Sequence, residues 1–221
     1  MGVRVLARST STPLATLEAR VVQLGGVGAV GRWRTQCSYL LPRAGDAGLH
    51  DLFVFSSESS AADPDSGGGG GGGGNEVCLV SQDAGTTGGV RVLRAGRGMF
   101  TILEQMNTHA QRLRVSIEGG EHHCGDFIVR VGQLVLNTTL AGAVLEIEYT
   151  PCTLASMASE AQPLHALLEL LLPRDESDFC SNATECFHLA RDLPETFGDE
   201  HGALLMVALM RERLLTKGAA R

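Results

Sequence analysis

From Cys124 to Cys152 the chain alternates apolar and polar residues twice over. In the first run Phe127, Val129 and Val131 fall on one face, with Asp126, Ile128 and Arg130 on the other. In the second, Leu145, Ile147 and Tyr149 share a face, with Val144, Glu146, Glu148 and Thr150 opposite. A period of two over this length is the pattern of a half-buried antiparallel strand, and a helix cannot satisfy it. Between the runs, the stretch from Asn137 to Gly142 supplies turn chemistry, although a loop of that length leaves the register open.

The remaining elements follow in chain order. Val3–Ala7 reads as a short strand. Ser11-Thr12-Pro13 then opens a helix, a hydroxyl cap with proline at the first turn, and Leu14, Leu17, Val21 and Leu24 recur at helical spacing up to Gly25-Gly26. Arg32–Leu41 and Leu49–Ser56 are strands. Ser57–Asn75 is Ser, Ala and Asp followed by eight glycines, too poor in apolar groups to offset its ordering entropy, and is expected to be a disordered surface loop within one domain. Glu76–Ser81 and Val90–Arg94 are strands, Gly98–His109 a helix with Phe100, Leu103 and Met106 inward, and Arg112–Glu118 a strand before the central pair. Glu160–Leu172 is a helix stopped by Pro173, the polar stretch 174–198 reads as irregular, and Glu200–Lys217 is the last helix. Many strands joined by short turns, without regular βαβ alternation, predict a single α+β domain over 1–221: a mainly antiparallel, barrel-like sheet with flanking helices.

A net charge of −7 argues against a general nucleic-acid binder, and no apolar run is long enough to span a membrane. The opening MGVRVLARSTS breaks its apolar run with Arg4 and Arg8, so no secretory leader is expected. The six cysteines therefore read as reduced thiols rather than three disulfides.

Several motifs have an ordinary reading beside a chemical one. Gly26-x-Gly28-x-x-Gly31 matches the dinucleotide fingerprint by letter, yet the residues after it are cut by Pro42 and no second βαβ unit follows, so it reads as a glycine-rich turn. Glu121-His122-His123-Cys124 places neighbouring ligands on opposite faces of a strand, and Cys180, Cys186 and His188 have poor zinc spacing. Leu164-x-x-Leu167-Leu168 could dock in a receptor groove but reads as core. Ala203–Met210 differs from these, with eight consecutive apolar residues covering every side of two helical turns. Such a helix must be covered all round, either by its own domain or by a partner. Leu204, Leu205, Met206, Val207, Leu209 and Met210 are the candidate partner contacts.

Cys-Gly-Asp-Phe-Ile-Val-Arg-Val-Gly at 124–132, followed by Glu-Ile-Glu-Tyr-x-Pro-Cys at 146–152, resembles the signature hairpin of the Mediator subunit 20 family, also called the TATA-binding-protein-related-factor-proximal protein family. The resemblance runs from the Met1-Gly2-Val3 start to the last helix and fails across 56–75 and 174–196. It implies a barrel-like α+β fold related in shape to tunnel-type triphosphatases. It also implies a non-catalytic, nuclear role in the Mediator head module. There the partners would be Mediator subunit 18 and other head subunits, with RNA polymerase II and the TATA-binding protein reached indirectly. No cofactor is expected. The enzymatic alternative is a metal-dependent polyphosphate or RNA 5′-triphosphate hydrolase using Glu146 and Glu148, whose alternation puts both carboxylates on one side of a strand. Against it stands the poverty of basic residues that would line such a tunnel, Lys217 being the only lysine. A solvated or partner-facing strand face is the expectation for the two glutamates.

Overall fold

The computed structural model describes residues 1–26, 29–43, 49–59, 76–82, 89–96, 98–158, 160–181, 183–188 and 190–211. The chain opens with β1 (Val3–Ser9), α1 (Leu14–Gln23), β2 (Gly31–Pro42), β3 (Leu52–Ser59), β4 (Glu76–Gln82) and β5 (Val90–Gly96). Then come α2 (Gly98–Met106), β6 (His109–Cys124), β7 (Phe127–Leu136) and β8 (Thr139–Tyr149). A short 3-10 turn (Ala155–Met157), α3 (Gln162–Leu171), β9 (Phe179–Cys180), α4 (Ala183–Phe187), β10 (Ala190–Arg191) and α5 (Asp199–Leu209) complete it. The strands form one ten-stranded sheet in the order β10-β5-β4-β3-β2-β6-β7-β8-β1-β9, antiparallel except where β10 meets β5.

The central alternation is seen as expected, but its turn is tighter. β7 and β8 are joined through Asn137 and Thr138 alone, with Asn137 at φ 55°, so Leu140 and Gly142 belong to the strand. The register shifts between Leu134 and Val135, and Gly142 sits there at φ 123°, a conformation that glycine tolerates and side chains do not. The neighbouring helix also ends early. Asn107, at φ 52°, stops α2, and β6 begins at His109 rather than Arg112. Met106 consequently lies 60 % exposed, whereas Met99, Phe100 and Leu103 cover the outer face of β3 and β4 at Val54, Val77 and Leu79.

Other boundaries shift as well. Residues 57–59 extend β3, and residues 60–75 of the glycine-rich stretch lie outside the described residues, as do Val27 and Gly28 of the fingerprint and everything beyond Arg211. The stretch 174–198 is not irregular throughout, since it holds β9, α4 and β10. It is tied along β1 by Ser181 N–H to the Leu6 carbonyl (2.8 Å), Asp178 N–H to the Arg8 carbonyl (2.9 Å) and Thr10 N–H to Asp178 Oδ2 (2.6 Å). Arg20 on α1 clamps Glu176 with both ends of its guanidinium, at 2.8 and 3.0 Å. The hydroxyls before α1 brace the turn rather than cap the helix: Thr12 N–H donates to Ser9 Oγ, and Thr12 Oγ1 donates to Glu176.

The sheet has an outer and an inner face. Outside, α1 and α3 cover β1, β7 and β8, where Val3, Val5, Ala7, Val129, Val131, Leu145 and Ile147 meet Leu17, Val21, Leu164 and Leu168. Inside lies α5, which touches β1 and also β3, β4 and β5. Seven steps separate β5 from β1 in the strand order. Laid flat, they would span about 34 Å, whereas an eleven-residue helix is only about 16 Å long. The sheet therefore curls around α5, which explains why all seven residues of β1 are buried.

Candidate functional site

The inner face of β1, β6, β7 and β8 carries charge. Pairing sets Glu121 opposite Arg130, Arg130 opposite Glu146, and Arg4 opposite Glu148. Because alternate residues share a face, all five side chains converge on the inner face. Arg130 Nε donates to Glu121 Oε2 (2.6 Å), while its NH1 donates to Glu146 Oε1 (2.7 Å) and Glu148 Oε2 (3.0 Å). Arg4 Nε lies 3.1 Å from Glu148 Oε2, and its NH1 lies 3.6 Å from Glu146 Oε1. The backbone N–H of Gly2 donates to Glu148 Oε1 at 2.7 Å. His123, half-exposed at the edge of the group, stands 3.3 Å from Glu121.

This network is buried: Glu121, Glu148, Arg130 and Arg4 are 1, 3, 6 and 7 % exposed. Burial alone would push the Glu148 carboxyl upward, but Arg4, Arg130 and the Gly2 amide outweigh it and hold the carboxyl below the usual glutamate range. Burial likewise works against the charged Arg130, and Glu146, Glu148 and Glu121 more than reverse this. The two strand glutamates are therefore neither solvated nor partner-facing, as their alternation alone suggested. The guanidinium groups of Arg130 and Arg4 take up the carboxylates of Glu146 and Glu148. Among the described residues, no group of three or more His, Cys, Asp and Glu is arranged to hold a metal ion.

The last helix lies across this face. Leu204, Leu205, Met206, Val207, Leu209 and Met210 are all at most 4 % exposed within the lone chain. The expectation that one side of α5 is left for a partner is thus corrected: the curled sheet and α4 together cover these residues, the ordinary fate of a helix apolar all round. Gly202 brings α5 alongside Arg4, and the Arg4 guanidinium also stacks over Phe197 at 5.9 Å. His201 fixes the start of the helix. Its Nδ1 accepts the Gly198 N–H (3.1 Å), and its ring stacks on Phe197 and meets Phe187 edge-on.

The other sequence candidates scatter. His122 is buried, on the face of β6 opposite Glu121 and His123. Cys180 lies on β9, Cys186 on α4, and all six cysteines are free thiols. Leu164 and Leu168 of the leucine motif are core, with Leu167 partly buried against it. What the residue pattern left unassigned was Arg4, Arg130 and Glu121. Their signal was present as charges at alternate positions of apolar strands, but it becomes a site only through the register.

Outside the sheet, one groove of about 580 Å³ opens between the 3-10 turn, α4 and the start of α5, with Leu154, Ala155, Phe187, Leu193, Pro194 and His201 among its walls.

Comparison with known proteins adds a family. Residues 1–210 match the family described as TATA-binding related factor (TRF) of subunit 20 of Mediator complex. Mediator of RNA polymerase II transcription subunit 20b of Arabidopsis thaliana is 34 % identical over 71 residues, 31 % of this chain and 32 % of that protein. Mediator of RNA polymerase II transcription subunit 20 of Aedes aegypti is 26 % identical over 78 residues, 34 % of this chain and 36 % of that protein. The aligned part thus spans about a third of each relative. A chain in the structure of the Schizosaccharomyces pombe Mediator head module shares 15 % identity, with a TM-score of 0.41 over 76 % of this chain and 93 % of that one. A likeness at that level carries no functional weight.

Proposed function

The chain belongs to the Mediator subunit 20 family, and from that premise we propose that it works without catalysis, as a protein-binding subunit of the Mediator complex linking regulators to RNA polymerase II initiation. Its place is the nucleus and the head module, and its direct partner is Mediator subunit 18. The observation that supports a non-catalytic role is the state of the inner face. Glu146 and Glu148 are bound by Arg130 and Arg4 and are buried, with their carboxylates already engaged. Admitting a substrate would require breaking several buried charge-assisted hydrogen bonds at once.

Two measurements test this. Co-expressed with subunit 18, the chain elutes as a one-to-one pair, and epitope-tagged chain co-purifies the other head subunits from nuclear extract. Elution of the two as separate monomers would sink the pairing. Purified chain with magnesium or manganese releases no phosphate from tripolyphosphate or triphosphate-ended RNA. Turnover abolished by Glu146→Gln would install the hydrolase reading instead.

A further inference from the structure

We propose that the groove beside α4 is the docking site for a basic amphipathic helix of a protein partner. Aliphatic side chains of that helix enter between Leu154 and Phe187, and its lysines or arginines lie beside Glu195. The inference rests on the reading of the chain as a protein-binding subunit and assigns that binding a surface.

Four observations carry it. The groove holds about 580 Å³, within the range of several hundred Å³ that preformed ligand pockets occupy. Its walls are rigid: Leu154 bridges Thr196, Ala155 N–H donates to the Glu195 carbonyl (2.9 Å), and Phe197 N–H donates to the Thr153 carbonyl (2.7 Å). Behind them, Phe187, Phe197 and His201 form a ring cluster with centroids 4.8 to 5.9 Å apart. The mouth is apolar and open to solvent, with Leu154 48 % exposed and Met157, on the same short turn, 41 % exposed. Exposed apolar surface on a built concavity marks an interaction site rather than incidental exposure.

Charge selects the occupant. The wall segments 152–160 and 183–201 carry Glu160, Glu185, Asp192, Glu195, Asp199 and Glu200 against Arg191 alone. Arg94 from β5 engages Glu200, and Glu195 is the carboxylate on the groove wall itself. An acidic partner would be repelled, while a basic one is steered in and held. The mode of recognition follows from the backbone. The two wall segments direct hydrogen bonds to each other, so an incoming chain is read by side chains, as a helix in a groove is, rather than by adding a strand.

The test uses the full chain and two labelled helical peptides, each with leucines at i and i+4, one flanked by lysines and the other by glutamates. Fluorescence anisotropy at physiological salt is expected to show the lysine peptide binding at least about tenfold more tightly than the glutamate peptide. Glu195→Lys narrows that preference. Ala155→Trp, which fills the groove, weakens binding of the lysine peptide at least about tenfold. Ser156→Trp, also on the wall, does the same if Ala155→Trp disturbs the circular dichroism spectrum. Equal affinity for the two peptides, no binding of either, or binding indifferent to a folded groove-filling variant would each overturn the proposal. None of these outcomes touches the pairing with subunit 18 measured on the unaltered chain, so the groove and the wider reading fail separately.

Discussion

Arg130 is the residue on which the inner face depends. One guanidinium answers three carboxylates, Glu121, Glu146 and Glu148, at 2.6 to 3.0 Å in a site nearly closed to water. Arg130→Met leaves Arg4 to compensate Glu146 and Glu148 and takes the guanidinium away from Glu121. Breaking a buried ionic group from one side costs about 3–5 kcal/mol, and urea unfolding should record a loss of that order; a loss below about 1 kcal/mol would mean that water reaches the network. Exchanging the whole set for apolar residues need not destabilise, because desolvating five charges offsets most of their attraction. What the set secures is register. A one-residue slip of β7 against β8 would turn Arg130 outward and leave Glu146 and Glu148 buried without it. Acid gives a second readout. The Glu148 carboxyl is held below its ordinary range in the fold, so the unfolded chain binds the proton more readily. The stabilisation is complete above the ordinary glutamate range and is lost as pH falls through the lower folded value. Urea midpoints between pH 7 and pH 3 should fall, with a shallower decline in Glu148→Gln.

At the scale of the element, α5 behaves as core. Leu205 is 1 % exposed and lies among side chains of its own sheet. Leu205→Ala is therefore expected to destabilise the lone chain by about 2–5 kcal/mol, and Leu205→Asp to prevent folding. A partner-facing residue would leave the lone chain's stability unchanged, so thermal unfolding of the unpaired variant decides between the two roles. The start of the helix has its own switch. Burial holds the His201 imidazole below its ordinary value of 6.5, more than the nearby Glu200 can restore. A proton on Nδ1 would remove the acceptor of the Gly198 N–H, and it would place positive charge at the positive end of the helix dipole. The unfolded chain thus takes up the proton first. The stabilisation is full above about pH 6.5 and declines as pH falls from there to the lower folded value. The protection factors of α5 amides, with the intrinsic exchange rate at each pH divided out, should fall between pH 7 and pH 5.5, and His201→Phe should remove that dependence. An equal fall in protection in the variant would assign the effect to another group.

Across the whole molecule, what the residues disclosed were the features set by neighbours along the chain. The β7–β8 alternation, the amphipathic α1 and α3, and the fully apolar α5 could be read directly, because period and burial are local consequences of side-chain direction. Two kinds of feature could not. Turns such as Asn137-Thr138 and stops such as Asn107 hinge on single residues in the left-handed region, where several nearby positions were chemically eligible. The charged site depends on strands distant in sequence, Arg4 of β1 against Glu148 of β8, and register between them is a property of the assembled sheet rather than of either strand. The same long-range pairing carries the last prediction, that residues 1–211 unfold as one domain to which the stretch 60–75 contributes little. The first strand is clasped between β8 and β9, near the far end of the chain, and touches α5, so neither terminal segment can leave alone. β3 and β4 pair antiparallel from Leu52–Ser81 to Phe55–Cys78, and the connection between them needs only to close a hairpin. Replacing 60–75 by a short Asn-Gly turn reduces loop-closure entropy by about 1 kcal/mol, since that cost grows only with the logarithm of length. The urea midpoint should therefore stay or rise slightly, with the slope unchanged. Trp33, the only tryptophan, is 2 % exposed in β2 and reports tertiary structure. Its fluorescence should change at the same midpoint as the far-ultraviolet circular dichroism, before and after the replacement. Separated midpoints would divide the domain, and a large fall after the replacement would show that 60–75 makes contacts of its own.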